Sequence, residues 1–199
     1  FGGVGIIIVA MVFLPELRVG GMQIFRSEGF ETGGKVLPRA AQIAAQIGVI
    51  YLILTFTCYI AYMMAGMAGF DAANHAMTTV ATGGFSTSDA SFGAFRGPAE
   101  YVAVTFMILA SLPFVRYVQL LAGSEGPLFR DSQVRTFAML AVLFILGITG
   151  YRMVVNAMPA EAAFRDAAFN VTSILTGTGY ASADYQLWGI TPWNYSHPY

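Results

Sequence analysis

The chain has 199 residues, of which 56% are hydrophobic and only 11% charged, and its formal net charge is −1. A soluble domain would carry roughly a quarter of charged residues and would interrupt its apolar runs with polar positions at helical spacing. The mean hydropathy of +0.63 therefore predicts an all-α membrane protein in contact with the lipid bilayer. The few Lys and Arg residues form no stripe that could neutralise phosphates, so nucleic acid is not an expected partner.

The first apolar run, at residues 1–14, is too short to cross roughly 30 Å of hydrocarbon at about 1.5 Å per residue. We interpret it as the end of a helix, and the lack of an initiator Met or a basic leader predicts an internal segment. Longer apolar runs predict spanning helices at residues 40–67, 98–121 and 134–158. Pro98 suits the first turn of the second helix, and Pro113 is expected to kink it.

Two shorter apolar stretches predict re-entrant pore helices at residues 71–81 and 166–175. Each is followed by a Gly-containing loop, at residues 82–87 and 176–182. The basic residues assigned to one side of the membrane are Arg18, Arg26, Lys35, Arg39, Arg116, Arg130 and Arg135, and those on the other are Arg96, Arg152 and Arg165. The more basic side is expected to be cytoplasmic, so both loops are predicted to enter from the extracytoplasmic side.

The two re-entrant segments repeat one another. DAANHAMTTVATGGFSTSD at residues 71–89 aligns without a gap with DAAFNVTSILTGTGYASAD at residues 166–184, a period of about 95 residues. Both segments reach a glycine, Gly84 or Gly179, that is followed by an aromatic residue. The period predicts the end of one unit at residues 1–34, a complete unit at 35–129 and a truncated unit at 130–199.

Irregular backbone at membrane depth is tolerated only where it is buried in protein or lines a wet cavity. Glycine allows such a loop to turn successive carbonyls toward one axis, where they can replace the hydration shell of an ion. A short helix that enters from outside points its negative C-terminal end at the cavity and favours a cation. The alternative, close helix contacts through small residues, fits each loop alone but not the matched pair. The aspartates that flank the loops, interpreted as helix caps or as attractors of cations, are Asp71, Asp89, Asp166 and Asp184.

Other candidate residues favour structural roles. His75 has no second ligand at metal-binding spacing and is interpreted as packed or hydrogen-bonded. Cys58 lies alone in an apolar run and is expected to pack there. Arg116 lies near a cytoplasmic helix end, where snorkelling to the interface is expected. No nucleophile, base and orienting group can be assembled, so the sequence does not predict an enzyme.

The motifs TVATGGFST at residues 79–87 and TGTGY at residues 176–180, with the opening GGVGII, resemble the TrkH family within the TrkH/KtrB/HKT superfamily. The resemblance implies four helix–pore-helix–helix repeats around one potassium pathway in the bacterial inner membrane. It implies filter carbonyls and turn glycines at Thr82, Gly83, Gly84, Gly177, Thr178 and Gly179. Phe85 and Tyr180 would pack behind the filter. The resemblance also implies a homodimer and a cytosolic TrkA-type nucleotide-binding regulatory subunit.

The leading hypothesis is therefore potassium uptake through backbone carbonyls, with this chain as part of the pore-forming subunit of a Trk-type system. Two alternatives stay open from the residues alone. One is a secondary transporter of an organic solute with broken helices at the midplane. The other is a non-conducting scaffold, because the 199 residues contain neither the first and fourth filter loops nor the interrupted last helix of repeat three that the family implies.

Overall fold

The computed structural model describes residues 36–121, 123 and 131–183. Within these ranges the chain forms six α-helices, one 3₁₀ helix and no strand. In chain order they are α1 (Val36–Met64), α2 (Gly69–Val80), the 3₁₀ helix (Ser91–Phe95), α3 (Pro98–Ser111), α4 (Phe114–Leu121), α5 (Ser132–Val155) and α6 (Ala160–Leu175). The all-α prediction is confirmed for this part. The predicted end of a repeat at residues 1–34 lies outside the described residues, as do Asp184 and the residues that follow it.

Two of these helices are long and apolar enough to cross a membrane. The spans are Gln42–Met64 within α1 and Ser132–Val155 in α5, each with a mean hydropathy of 2.0. Large apolar side chains such as Leu52 and Leu143 are exposed along them, as expected where a helix faces lipid. Helix α5 starts at Ser132 because the Asp131 carboxylate accepts a hydrogen bond from the Gln133 backbone N–H at 2.8 Å.

The predicted spanning helix at residues 98–121 is broken, not merely kinked. Helices α3 and α4 meet at an angle of 84°, and they amount to a third span only if the bent pair is counted as one. Leu112 has extended backbone angles because the ring of the following Pro113 disfavours the helical conformation of the residue before it. Arg116 on α4 lies 2.8 Å from the Asp131 carboxylate, so it makes an ion pair rather than only reaching toward the interface.

The two short helices pack at the centre of the fold, α2 against α1 and α6 against α3 and α5. The buried aromatic residues of this core are Tyr62, Phe92, Phe106, Phe169 and Tyr180. Helix α6 begins at Ala160, well before the predicted start at residue 166, because Pro159 precedes a run of good helix formers. Asp166 therefore lies inside the helix and does not cap it, which corrects that part of the sequence interpretation.

Candidate functional site

The loops after α2 and α6 share an unusual backbone conformation. Positive φ angles occur at Thr82 (49°) and Gly84 (64°) in the first loop and at Gly177 (71°) and Gly179 (87°) in the second. These are the same two positions of the aligned repeat. Glycine adopts such angles freely, whereas Thr82 is β-branched and pays a conformational cost there. Two separate segments of the chain thus make the same turn at the same distance from a helix end.

Backbone hydrogen bonds tie each turn to its helix in the same way. The N–H of Gly83 donates to the carbonyl of Thr78 at 2.8 Å, and the N–H of Thr178 donates to the carbonyl of Ser173 at 3.0 Å. The two acceptors, Thr78 and Ser173, occupy equivalent positions of the repeat. The C-terminus of each short helix, and with it the negative end of the helix dipole, therefore lies directly beside its loop.

A side-chain hydroxyl closes each loop on its far side. The Thr78 hydroxyl donates to the carbonyl of Phe85 at 2.9 Å, and the Ser173 hydroxyl donates to the carbonyl of Tyr180 at 2.8 Å. These four residues again occupy matching positions of the repeat. In both loops the carbonyl of the aromatic residue thus accepts a hydrogen bond from the protein, unlike the carbonyls that precede it.

Between the helix end and this satisfied carbonyl, each loop carries four carbonyls that accept no hydrogen bond from any described residue. The first belongs to the residue that ends the helix, Ala81 or Thr176, and the other three of each loop belong to Thr82, Gly83, Gly84, Gly177, Thr178 and Gly179. These last six are the residues to which the family resemblance assigned the filter. A carbonyl left without a partner in an apolar medium costs several kcal/mol, so a set of six needs water or a cation beside it.

The two loops touch at Gly84. A Cβ atom built on Gly84 would overlap the carbonyl oxygen of Thr178, whereas a Cβ atom on Gly179 would meet nothing within 4 Å. Gly84 is therefore required twice, once for its positive φ angle and once for the close approach of the second loop. The contact brings the predicted residues of both loops into one site.

His75 and Asn170 occupy matching positions of α2 and α6 and make matching contacts. Nδ1 of His75 donates to the Asp71 carbonyl at 2.8 Å, and Nδ2 of Asn170 donates to the Asp166 carbonyl at 2.7 Å. Each side chain also reaches a serine hydroxyl of the following loop, although the two serines are one position apart in the repeat. Nε2 of His75 lies 3.0 Å from the Ser86 hydroxyl, and the same Nδ2 of Asn170 donates to the Ser182 hydroxyl at 3.1 Å. His75 is thus the buried, hydrogen-bonded residue that its sequence context favoured. Asn170 was missed, although the repeat alignment places it opposite His75.

The aromatic residues after the two turn glycines differ in environment. Tyr180 is fully buried, and its hydroxyl contacts the Thr78 hydroxyl and lies 3.2 Å from that of Thr79. Phe85 is 75% exposed within the described residues, so its packing behind the filter stays a prediction. Tyr180 therefore fastens the second loop to the helix of the first.

Comparison with known proteins identifies the arrangement. The model of the family described as TrkH, a cation transport protein, matches residues 1–190. The chain belongs to the TrkH family. It is 44% identical over 192 residues to the Trk system potassium uptake protein TrkI of Halomonas elongata, a match that covers 96% of the chain and 39% of that relative. It is 35% identical over 197 residues to the Trk system potassium uptake protein TrkH of Vibrio parahaemolyticus, covering 96% of the chain and 41% of the relative.

The fold agrees with a solved member of the TrkH family. The crystal structure of the potassium transporter TrkH from Vibrio parahaemolyticus matches with a TM-score of 0.74 and 32% identity, over 91% of this chain and 37% of that one. The prediction of an all-α membrane protein built from helix–pore-loop–helix units is confirmed. These relatives are named as an uptake protein and a transporter, which agrees with the prediction that the chain is not an enzyme. The chain spans about 40% of the length of the curated relatives it matches.

Two ion pairs that sequence reasoning did not identify lie in the N-terminal half of α6 in this TrkH-family chain. Arg152 on α5 lies 3.1 Å from the Asp166 carboxylate, and Arg165 on α6 lies 3.0 Å from the Glu100 carboxylate on α3. Both carboxylate side chains are almost fully buried. Asp166 is therefore neutralised by an arginine and is not available to attract cations, which corrects the second interpretation of that residue.

Proposed function

We propose that this chain supplies two sides of a potassium pathway in the pore-forming subunit of a Trk-type uptake system of the bacterial inner membrane. The filter residues are those of the two loops: Thr82, Gly83, Gly84, Gly177, Thr178 and Gly179. The observation that carries the proposal is the group of six carbonyls without a hydrogen-bond donor among the described residues, in two loops that touch. Such carbonyls can replace the hydration shell of an alkali cation.

The orientation of α2 and α6 supports a cation as the transported species. Each helix delivers its C-terminus to the loop, where its last unpaired carbonyls and its dipole present negative charge. Carboxylates do not enter the turns: Asp71 accepts from the Thr87 hydroxyl at 2.6 Å, and Asp166 pairs with Arg152. Neutral carbonyls without acidic side chains favour a monovalent cation over a divalent one.

The names of the relatives support potassium as that cation. The proteins from Halomonas elongata and Vibrio parahaemolyticus are named as potassium uptake proteins of the Trk system. Because this chain corresponds to about 40% of their length, we propose that it works within a longer transporter, whose other segments complete the ring of loops. A homodimer, a cytosolic TrkA-type regulatory subunit and loops that enter from the extracytoplasmic side belong to the same proposal.

The two alternatives are less well supported. A secondary transporter of an organic solute would bring half-helix ends to a substrate pocket, commonly through repeats of inverted topology. Here both loops follow their helices in the same order and with the same sequence of positive φ angles. A non-conducting scaffold gives no reason for six carbonyls to lack donors in two equivalent turns.

The proposal is tested by rubidium and sodium uptake in bacteria that lack their own potassium uptake systems and express the full-length protein containing this chain. We expect the unmodified protein to accumulate rubidium in preference to sodium, and Gly84→Ser and Gly179→Ser each to weaken this preference. Gly48→Ala is the matched control, because Gly48 lies within α1 with open space around its Cα. Unchanged rubidium uptake and sodium exclusion in both serine variants would disprove the proposed filter.

A further inference from the structure

The second loop is held at its far end by a segment of the complete unit at residues 35–129. This segment, which we call the strap, consists of the 3₁₀ helix Ser91–Phe95 and the following Arg96. It lies between the first loop and α3 in the sequence but contacts residues 180–182 of the second loop. The contacts join residues about 90 positions apart, so they fix one repeat relative to the other.

Two polar contacts join the strap to the backbone of the second loop. The Arg96 guanidinium donates to the Ser182 carbonyl through both Nε, at 3.1 Å, and Nη2, at 2.7 Å. The N–H of Ala181 donates to the Ser91 hydroxyl at 3.2 Å. Ser182 is buried, so its carbonyl depends on protein donors, and a bond from a charged donor is stronger than one between neutral groups.

Apolar packing places the strap at a fixed distance from the loop. The Phe92 ring is fully buried, with its centroid 5.2 Å from that of Tyr180 and 4.7 Å from that of Phe169. Gly93 lies so near the loop that a Cβ atom on it would be 3.4 Å from the Ser182 carbonyl oxygen. Since the strap fits closely against the loop, a change in its polar contacts is expected to move the backbone of the loop itself.

We propose that Arg96 and Ser91 are positioning residues that set the ion selectivity of the second loop from the neighbouring repeat. The near end of the loop is held on α6 by backbone bonds, from the Gly177 N–H to the Ile174 carbonyl and from the Thr178 N–H to the Ser173 carbonyl. Its far end is held by the Ser173 hydroxyl, which donates to the Tyr180 carbonyl, and by the strap, which contacts residues 181 and 182. The carbonyls of the intervening glycines and Thr178 lie between these two ends. Loss of the strap contacts loosens the far end and lets these carbonyls move closer together around a smaller ion, so sodium gains relative to potassium. This inference rests on the proposed function of the loop.

The test measures rubidium and sodium uptake by the full-length protein with Arg96→Gln, Arg96→Lys and Ser91→Ala. We expect Arg96→Gln to lower the rubidium-to-sodium ratio by roughly fivefold to tenfold, since a charge-assisted bond to a buried carbonyl is lost. Arg96→Lys keeps the charge but not the paired donors, so its ratio should lie between that of Arg96→Gln and the unmodified protein. Arg135→Gln is the control, because Arg135 is an exposed arginine on α5, remote in sequence from both loops.

A merely structural role of Arg96 would lower the uptake of both ions together and leave their ratio unchanged, and this result would overturn the inference. If Arg96→Gln does not reach the membrane, Ser91→Ala decides, because it removes only one hydroxyl and should shift the ratio in the same direction. An unchanged ratio in Ser91→Ala would then overturn the inference. An unmodified protein that accumulates neither ion would instead disprove the proposed function, and the inference with it.

Discussion

The hydroxyl of Tyr180 lies 3.2 Å from the hydroxyl of Thr79, although the two residues are 101 positions apart in the sequence. Tyr180 belongs to the second loop and Thr79 to the short helix before the first loop. The same tyrosine hydroxyl donates to the His75 carbonyl at 3.2 Å, and all three residues are fully buried. One side chain therefore joins the two halves of the candidate filter.

Tyr180→Phe removes this junction while leaving the ring in place. We expect the free energy of unfolding to fall by about 1 to 2 kcal/mol, because buried hydroxyl and carbonyl groups of α2 lose a partner. The measurement is the thermal unfolding midpoint of the purified protein in detergent. Tyr151→Phe is the control, because Tyr151 is exposed on α5. Equal midpoints for the two variants would contradict the assigned role of the Tyr180 hydroxyl.

The two turn glycines should respond differently to alanine. Gly84→Ala places a methyl group against the Thr178 backbone, which cannot rotate away as a flexible side chain would. The methyl group of Gly179→Ala meets open space among the described residues. The variant is destabilised mainly by its positive φ angle, by roughly 1 to 2 kcal/mol. Rubidium uptake is therefore expected to fall more in Gly84→Ala, and an equal or reversed order would contradict the close contact.

The repeat predicts which substitution of His75 is tolerated. His75→Asn introduces the residue found at the matching position of α6, where Asn170 bonds both its helix and its loop. We expect His75→Asn to keep most of the rubidium uptake, whereas His75→Leu, of similar size but without polar atoms, should lose it because Ser86 loses its contact. Equal uptake by the two variants would show that the hydrogen bonds of His75 are not needed.

Asp131 gives the junction of α4 and α5 a pH dependence. The pKa of its carboxyl lies below the ordinary value of 3.8, chiefly because the Gln133 N–H donates to it and further because of the Arg116 guanidinium. A lowered pKa in the folded state means that the carboxylate stabilises the fold above pH 3.8 and that this contribution disappears as the pH falls below it. The thermal midpoint of the unmodified protein should exceed that of Asp131→Asn at about pH 6. The two midpoints should converge as the pH falls to about 2. A constant difference across this range would contradict the assignment.

Breaking the ion pair between Arg152 and Asp166 should be costly. Both side chains are less than 10% exposed, so Asp166→Asn removes the charge of one partner from a buried ion pair, at a cost of roughly 3 kcal/mol. Glu161→Gln is the comparison, since Glu161 is 63% exposed and its pair with Arg165 should contribute under about 1 kcal/mol. The thermal midpoint distinguishes the two, and similar small shifts would show that the Asp166 pair is not required.

The sequence was informative where its signals are local. The repeated glycine before an aromatic residue located both turns, and the apolar runs located α1 and α5, because backbone freedom and hydrophobic length leave direct traces in the residues. It did not reveal that Arg96 contacts Ser182 or that Arg152 contacts Asp166. These pairs depend on how helices far apart in the sequence are arranged. The start of α6 was missed because the repeat match begins at Asp166, inside the helix.

The contact of Tyr180 with α2 also has a direction in time. A ribosome makes Thr78 and Thr79 well before Tyr180, and Tyr62 on α1, which lies 2.8 Å from the Thr79 hydroxyl, earlier still. The surface that receives the tyrosine can therefore assemble in the membrane while the later loop is still being translated. Biosynthesis in this order gives the second loop an earlier surface on which to dock.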